Sequence, residues 1–180
     1  GIMIMIFGIG SLLMMPVAGA LVARLGSGRI SLLSGFALTP MLLLITLAPE
    51  WLSAAVAMFL FGGFIGAMDV AMNANAVAVE KAMHRAIMSS CHAFWSLGGL
   101  IGAGIGGYLI QLLGITGHAV LVTVVIGLLI AATWPVLYRH DTPERDVDGS
   151  KDKLRLPMTP LPWLIGLIAL FSMIPEGAML

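Results

Sequence analysis

Residues 61–80, FGGFIGAMDVAMNANAVAVE, place an acid, Asp69, inside an apolar run. The run extends from 52 to 79 and contains twenty-eight residues, of which Asp69 is the only charged one. Since about 20 apolar residues cross a bilayer, the run predicts a tilted membrane-spanning helix. A charged side chain near the bilayer centre costs at least about 2.5 kcal/mol and is by default a functional-site hypothesis. This segment therefore indicates an integral membrane protein with a functional acid at Asp69.

Small and polar residues form a stripe along one face of this predicted helix. Its members are Gly62, Gly66, Asp69, Asn73, Ala76 and Glu80. Gly62 and Gly66 form a G-x-x-x-G pair, which allows a second helix to approach closely, and Asn73 can hydrogen-bond to another helix. We expect the stripe to face protein or a water-filled cavity. Asn75 lies off the stripe, and both a packing role and a functional role stay open for it.

The composition supports a membrane class. Hydrophobic residues make up 59%, charged residues 10%, and the mean hydropathy is +1.04, whereas soluble domains contain about 25% charged residues. The formal net charge is zero, which argues against a nucleic-acid partner. The single cysteine excludes an intramolecular disulfide, and no zinc-ligand spacing is present. We therefore expect no metal and no cofactor.

Six apolar segments alternate with short polar connections. They cover residues 1–22, 30–47, 52–79, 88–113, 119–138 and 161–180. Prolines at 16 and 40 interrupt the first two, and residues 114–118 form a predicted turn. Residues 139–157 contain five basic and five acidic residues and are typical of a solvated linker. Because both ends of the chain fall in apolar sequence, we expect a fragment of a longer protein.

The basic residues predict the orientation. If successive segments cross the membrane in alternate directions, all nine Lys and Arg residues lie on one side. The positive-inside rule makes that side cytoplasmic. The sequence thus predicts a multi-pass protein of a cell inner membrane, with the linker 139–160 in the cytoplasm.

Residues 19–29, GALVARLGSGR, resemble the loop between helices two and three in the major facilitator superfamily. Gly19, Arg24 and Gly26 match the motif, Arg29 is assigned to the same loop, and Ala23 replaces the motif's aspartate. The resemblance implies an all-α, twelve-helix fold of which about six transmembrane helices are present. Residues 1–138 would then be helices two to six of the N-terminal bundle. Residues 139–160 would be the linker between bundles, and 161–180 the truncated first helix of the C-terminal bundle.

Two further runs resemble the fucose permease branch of that superfamily and bacterial inner-membrane permeases. They are GAMDVAMN at 66–73 and SCHAFWSLG at 90–98. The resemblance places Asp69 and Asn73 beside a sugar and proton pathway. His92 and Trp95 stand where the sugar permease has amide side chains. Their functional and packing interpretations both stay open.

Glycines dominate the fourth apolar segment. Gly98, Gly102 and Gly106 predict close helix packing. Their spacing is also similar to the helix-five signature of proton antiporters, although Ala103 stands where that signature has proline. Export therefore stays an alternative to import.

The resemblance implies a secondary active transporter that moves a small polar solute, such as a sugar, by alternating access and proton coupling. The predicted pathway residues are Asp69, Asn73, His92, Trp95 and Glu176. The expected partners are the solute, protons and the lipid bilayer, and the complete protein is expected to be a monomer. The alternatives are a proton-driven exporter of drug-like or metabolite solutes, an intramembrane enzyme and a non-transporting scaffold. Because the G-x-G-D and H-E-x-x-H motifs are absent, no enzyme is predicted.

Overall fold

The computed structural model describes residues 1–137, and this part of the chain is helical. Its elements are α1 (Ile2–Leu25), α2 (Ser27–Leu38), α3 (Met41–Thr46), α4 (Trp51–Met83) and α5 (Met88–Thr133). The predicted all-α membrane fold is confirmed for these residues. The predicted linker 139–160, the sixth segment 161–180 and Glu176 lie outside the described residues.

Four helical stretches are long and apolar enough to cross a membrane. They are Ile2–Leu25, Ser27–Thr46, Trp51–Met83 and Met88–Thr133. Pro16 lies inside α1 without ending it, whereas Thr39 and Pro40 separate α2 from α3. At 1.5 Å per residue, the 33 residues of α4 extend about 50 Å, which exceeds the roughly 30 Å of hydrocarbon. Helix α4 is therefore longer than the bilayer core is thick.

Gly114 accounts for the difference between the predicted and the observed fourth and fifth spans. A five-residue turn was expected at 114–118, but only Gly114 is non-helical, with φ 71° and ψ 169°. His118 Nε2 lies 3.8 Å from the position that a Cβ on Gly106 would take. Twelve residues of straight helix would separate these two positions by about 18 Å, so the chain reverses direction at Gly114. A glycine tolerates this positive φ, and one residue is therefore enough for the turn.

Contacts between helices define their relative directions. On α1 and α4, Phe7 lies against Gly62 and Ser11 against Gly66, so these two helices run parallel.

Helix α2 runs antiparallel to α4, because Ser27 contacts Asn75 and Ser34 contacts Met68. The part of α5 after Gly114 returns along α2, where Ile130 lies against Gly35 and Gly127 against Thr39. These directions are the ones that successive membrane crossings require.

The part of α5 before Gly114 lies on the surface of the described unit. Phe94, Trp95 and Leu100 are each at least 60% exposed. The buried positions concentrate instead where α1, α2 and α4 meet. In a membrane protein, an apolar surface of this kind faces lipid or another helix.

Candidate functional site

Helix α4 holds Asp69 and Asn73 one turn apart inside its apolar segment. The Nδ2 group of Asn73 donates a hydrogen bond of 3.1 Å to Oδ1 of Asp69, and both side chains are half-buried. The i, i+4 spacing of a helix brings such side chains together. A carboxylate accepts at two oxygens and an amide both donates and accepts. The pair can therefore bind a polar solute or a proton within an otherwise apolar span.

The glycines of the same stripe lie against α1. A Cβ on Gly62 would overlap the carbonyl group of Phe7, and one on Gly66 would lie 2.7 Å from the carbonyl oxygen of Ser11. Because no side chain fits between the backbones, α1 and α4 touch directly at these glycines. The next turn of α4 carries Asp69, so this crossing fixes the position of the acid relative to α1.

Asn75 has a structural contact that the sequence left open. Its Nδ2 group donates a hydrogen bond of 2.9 Å to Oγ of Ser27, the first residue of α2. Asn75 is 7% exposed and Ser27 is 1% exposed. A signal for this contact was present in the sequence, since Ser27, Ser31 and Ser34 recur with helical spacing on one face of α2. All three serines are buried.

Within the predicted loop motif, Gly26 is the only residue between α1 and α2, and it forms the joint of these two helices. Gly26 separates α1 from α2 with φ 86° and ψ 149°, and its N–H donates to the carbonyl of Val22. Arg24 and Arg29 are exposed, and a Cβ on Gly19 would meet no described atom within 4 Å. Apart from Gly26, the residues 19–29 that resemble an interhelical loop are therefore helical. The conformational role of this motif stays a prediction.

Glu80, the last member of the stripe, caps the next helix. Its Oε1 atom accepts hydrogen bonds of 2.7 Å from the backbone N–H groups of Ile87 and Met88. The chain turns between α4 and α5 through His84, which has φ 51°. Glu80 thus satisfies two donors at the start of α5, where helical N–H groups have no intrahelical partner. The sequence placed Glu80 directly after the apolar run 52–79 but did not predict this cap.

The structure does not join His92 or Trp95 to the Asp69 pair. Both side chains are exposed near the start of α5, and neither forms a hydrogen bond, ion pair or ring contact with a described residue. A Cβ on Gly98 or Gly102 would likewise meet no described atom within 4 Å, whereas Gly106 lies near His118. The roles predicted for these residues stay predictions.

Metal binding has no support in the described part of the chain. Within residues 1–137, no three His, Cys, Asp or Glu side chains are grouped so that they could hold an ion. The polar groups brought together there include the Asp69 pair, the Ser27 and Asn75 pair, and the Glu80 cap.

These features define a multi-pass α-helical membrane protein with an acid–amide pair inside one span. Residues 1–178 match the family model described as Major Facilitator Superfamily, and the chain belongs to this superfamily. The predicted superfamily is therefore confirmed. The fucose permease branch and the numbering of the helices stay predictions.

Two relatives are similar over the whole chain. An uncharacterized MFS-type transporter of Yersinia pestis is 38% identical over 185 residues, which cover 100% of this chain and 46% of the relative. An uncharacterized transporter of Sinorhizobium fredii is 36% identical over 182 residues, which cover 100% of this chain and 47% of the relative. The chain thus spans about half the length of these curated relatives.

A third relative is the membrane protein MosC of Rhizobium meliloti. It is 32% identical over 184 residues, which cover 99% of this chain and 42% of the relative. No solved structure matches the chain. Two of these three relatives carry the name of a transporter.

Proposed function

We propose that the complete protein is a secondary active transporter that moves a small polar solute across a bacterial inner membrane by alternating access, coupled to protons. The observation that carries this proposal is the half-buried Asp69–Asn73 pair inside the apolar span of α4. Neither member is needed to hold α1 against α4, because the glycines Gly62 and Gly66 make that contact.

Proton coupling follows from the energetics of an acid in a membrane. A charged carboxylate is costly near the bilayer centre, and hydrogen-bond donors or water reduce that cost. In transporters built from structural repeats, the central site opens alternately to the two sides. A carboxyl group that is hydrated from one side and then from the other can take up a proton on one side and release it on the other. Asp69 is the proposed proton-responsive group.

Asn73 is the proposed solute ligand beside this acid. Its amide has a second N–H group and a carbonyl oxygen beyond the bond to Asp69, and solute hydroxyl groups pair well with such groups. We propose that His92, Trp95 and Glu176 complete the pathway in the full-length protein. Trp95 would stack on a flat or ring-shaped solute, and a sugar is the first class to test.

The test measures external pH in weakly buffered cells that produce the full-length protein, as sugars and related polar solutes are added one at a time. A solute that enters with protons makes the medium more alkaline. Asp69→Asn should abolish this alkalinisation and uphill accumulation while the protein remains in the membrane. Asp69→Glu, which keeps the acid, should retain part of both signals. Undiminished uphill transport by Asp69→Asn would refute the assigned role of Asp69.

A further inference from the structure

A cavity of about 140 Å³ lies between α2, α4 and the end of α5. Its lining residues are Ser31, Leu32, Met68, Met72, Asn75, Ile130, Thr133 and Leu137. About 10–15 Å³ of space open to the centre of a water-sized sphere is enough for one water molecule, so this cavity has room for several. Size alone does not decide its content, because a cavity of similar volume lined only by apolar groups stays dry.

Ser31 supplies the polar group that distinguishes this cavity from a dry one. Its side chain is 5% exposed, and its hydroxyl group has no hydrogen-bond partner. The neighbouring Ser34 is equally buried, but its hydroxyl group donates to the carbonyl of Ile30. A buried hydroxyl group without a partner costs about 1–3 kcal/mol, and a bound water molecule removes that cost.

Further polar groups line the same cavity. Thr133 donates its hydroxyl hydrogen to the carbonyl of Ile130, which leaves the oxygen able to accept from water. Asn75 contributes a side-chain amide, whose Nδ2 group is bonded to Ser27. Water in protein cavities usually makes two to four hydrogen bonds. Ser31 and Thr133 thus offer two groups that can bond to water, and Asn75 lines the same space.

We propose that this cavity is a water-binding site in which the Ser31 hydroxyl group hydrogen-bonds to water held between α2, α4 and α5. The site lies close to the end of the bundle that carries the basic residues, since Ser31 is one helical turn beyond Ser27 at the start of α2. This inference does not depend on the solute or on the coupling of transport.

Cysteine labelling of the full-length protein in membranes tests the proposal. In a background in which Cys91, which is exposed, is replaced by serine, Ser31→Cys is compared with Ser34→Cys. A small water-soluble thiol reagent should modify the Ser31→Cys protein at least about tenfold faster than the Ser34→Cys protein, because a thiol in a dry site reacts only after a local opening. Equal labelling rates at the two positions would overturn the proposal.

If either cysteine variant fails to accumulate, X-ray footprinting tests whether the cavity holds water. Radicals formed from bound water should oxidise the cavity residues Met68 and Met72 in the otherwise unmodified protein. Met41 is the control, because it is 7% exposed and does not line the cavity. Replacing Ser31 by Val should reduce oxidation at Met68 and Met72 without changing Met41. Oxidation of the two cavity methionines that is insensitive to Ser31→Val would overturn the proposal.

Discussion

Asn75 on α4 and Ser27 at the start of α2 are joined by a buried hydrogen bond of 2.9 Å. The bond connects the joint at Gly26 with the same helix that carries Asp69. Asn73, two residues earlier, bonds within its own helix instead. The two asparagines therefore have different structural roles although they lie close together in the sequence.

Asn75→Ala should lower the free energy of unfolding by about 1–2 kcal/mol, the range measured for polar contacts between membrane helices in model peptides. The reason is that Ser27, which is 1% exposed, loses this contact between α2 and α4. Thermal unfolding of the full-length protein in detergent, followed by circular dichroism, measures the change. Asn73→Ala is the matched control, with a smaller loss of stability and a larger loss of transport. Equal losses of stability in Asn75→Ala and Asn73→Ala would contradict the different structural roles of the two asparagines.

The crossing of α1 and α4 depends on glycines that no larger residue can replace. A Cβ on Gly10 would overlap the carbonyl group of Phe59, and one on Gly62 that of Phe7. Gly10→Ala or Gly62→Ala must push the helices apart, and each should cost about 1–3 kcal/mol.

Gly8 provides the control for this prediction. It lies on the same helix as Gly10, and a Cβ there would meet no atom within 4 Å. Gly8→Ala should therefore be neutral, or more stable by up to about 1 kcal/mol because alanine favours helix. The folded fraction after detergent extraction measures this difference in stability between Gly8→Ala and the two variants Gly10→Ala and Gly62→Ala. A loss of stability for Gly8→Ala as large as that for Gly10→Ala would show that the crossing is not the cause.

The membrane class and the helical segments were predictable because apolar run length is a strong local signal. The contact between Asp69 and Asn73 also follows from their spacing on one helix, as does the close helix approach at Gly62 and Gly66. The spacing of the serines on α2 indicates a polar face, but which of them pairs with Asn75 was not predictable, because a hydrogen bond across 48 residues depends on how α2 and α4 pack.

The break at Gly114 shows a second limit of the sequence. Gly114 and Gly117 bracket residues that have no charge, and this pattern predicts a turn of several residues. The structure needs only Gly114, since its positive φ reverses the chain while the residues on both sides stay helical. Sequence patterns locate such a turn, but the backbone conformation of one residue determines how many residues the turn contains.

Backbone conformation leads to a third prediction, at the two glycines that join helices. Gly26 has φ 86° and Gly114 has φ 71°, both with ψ near the extended range, a combination that is essentially restricted to glycine. Alanine at either position should therefore cost about 1–3 kcal/mol.

Gly104→Ala in α5 is the control, because Gly104 is helical and a Cβ there would meet no described atom within 4 Å. Denaturant unfolding of the full-length variants should place Gly104→Ala near the parent and the other two below it. A Gly114→Ala protein as stable as the Gly104→Ala protein would mean that the reversal does not require glycine.

The cap that Glu80 provides to α5 gives the last prediction. Glu80→Ala leaves the backbone N–H groups of Ile87 and Met88 without their carboxylate acceptor. Hydrogen exchange at these two amides, measured by mass spectrometry on the full-length protein, should become faster, because the first turn of α5 opens more often. Glu80→Gln keeps an acceptor oxygen and should restore part of the protection. Lys81→Ala, which changes an exposed neighbour, should leave exchange unchanged, and equal protection in Glu80→Ala and Lys81→Ala would show that Glu80 does not hold this helix.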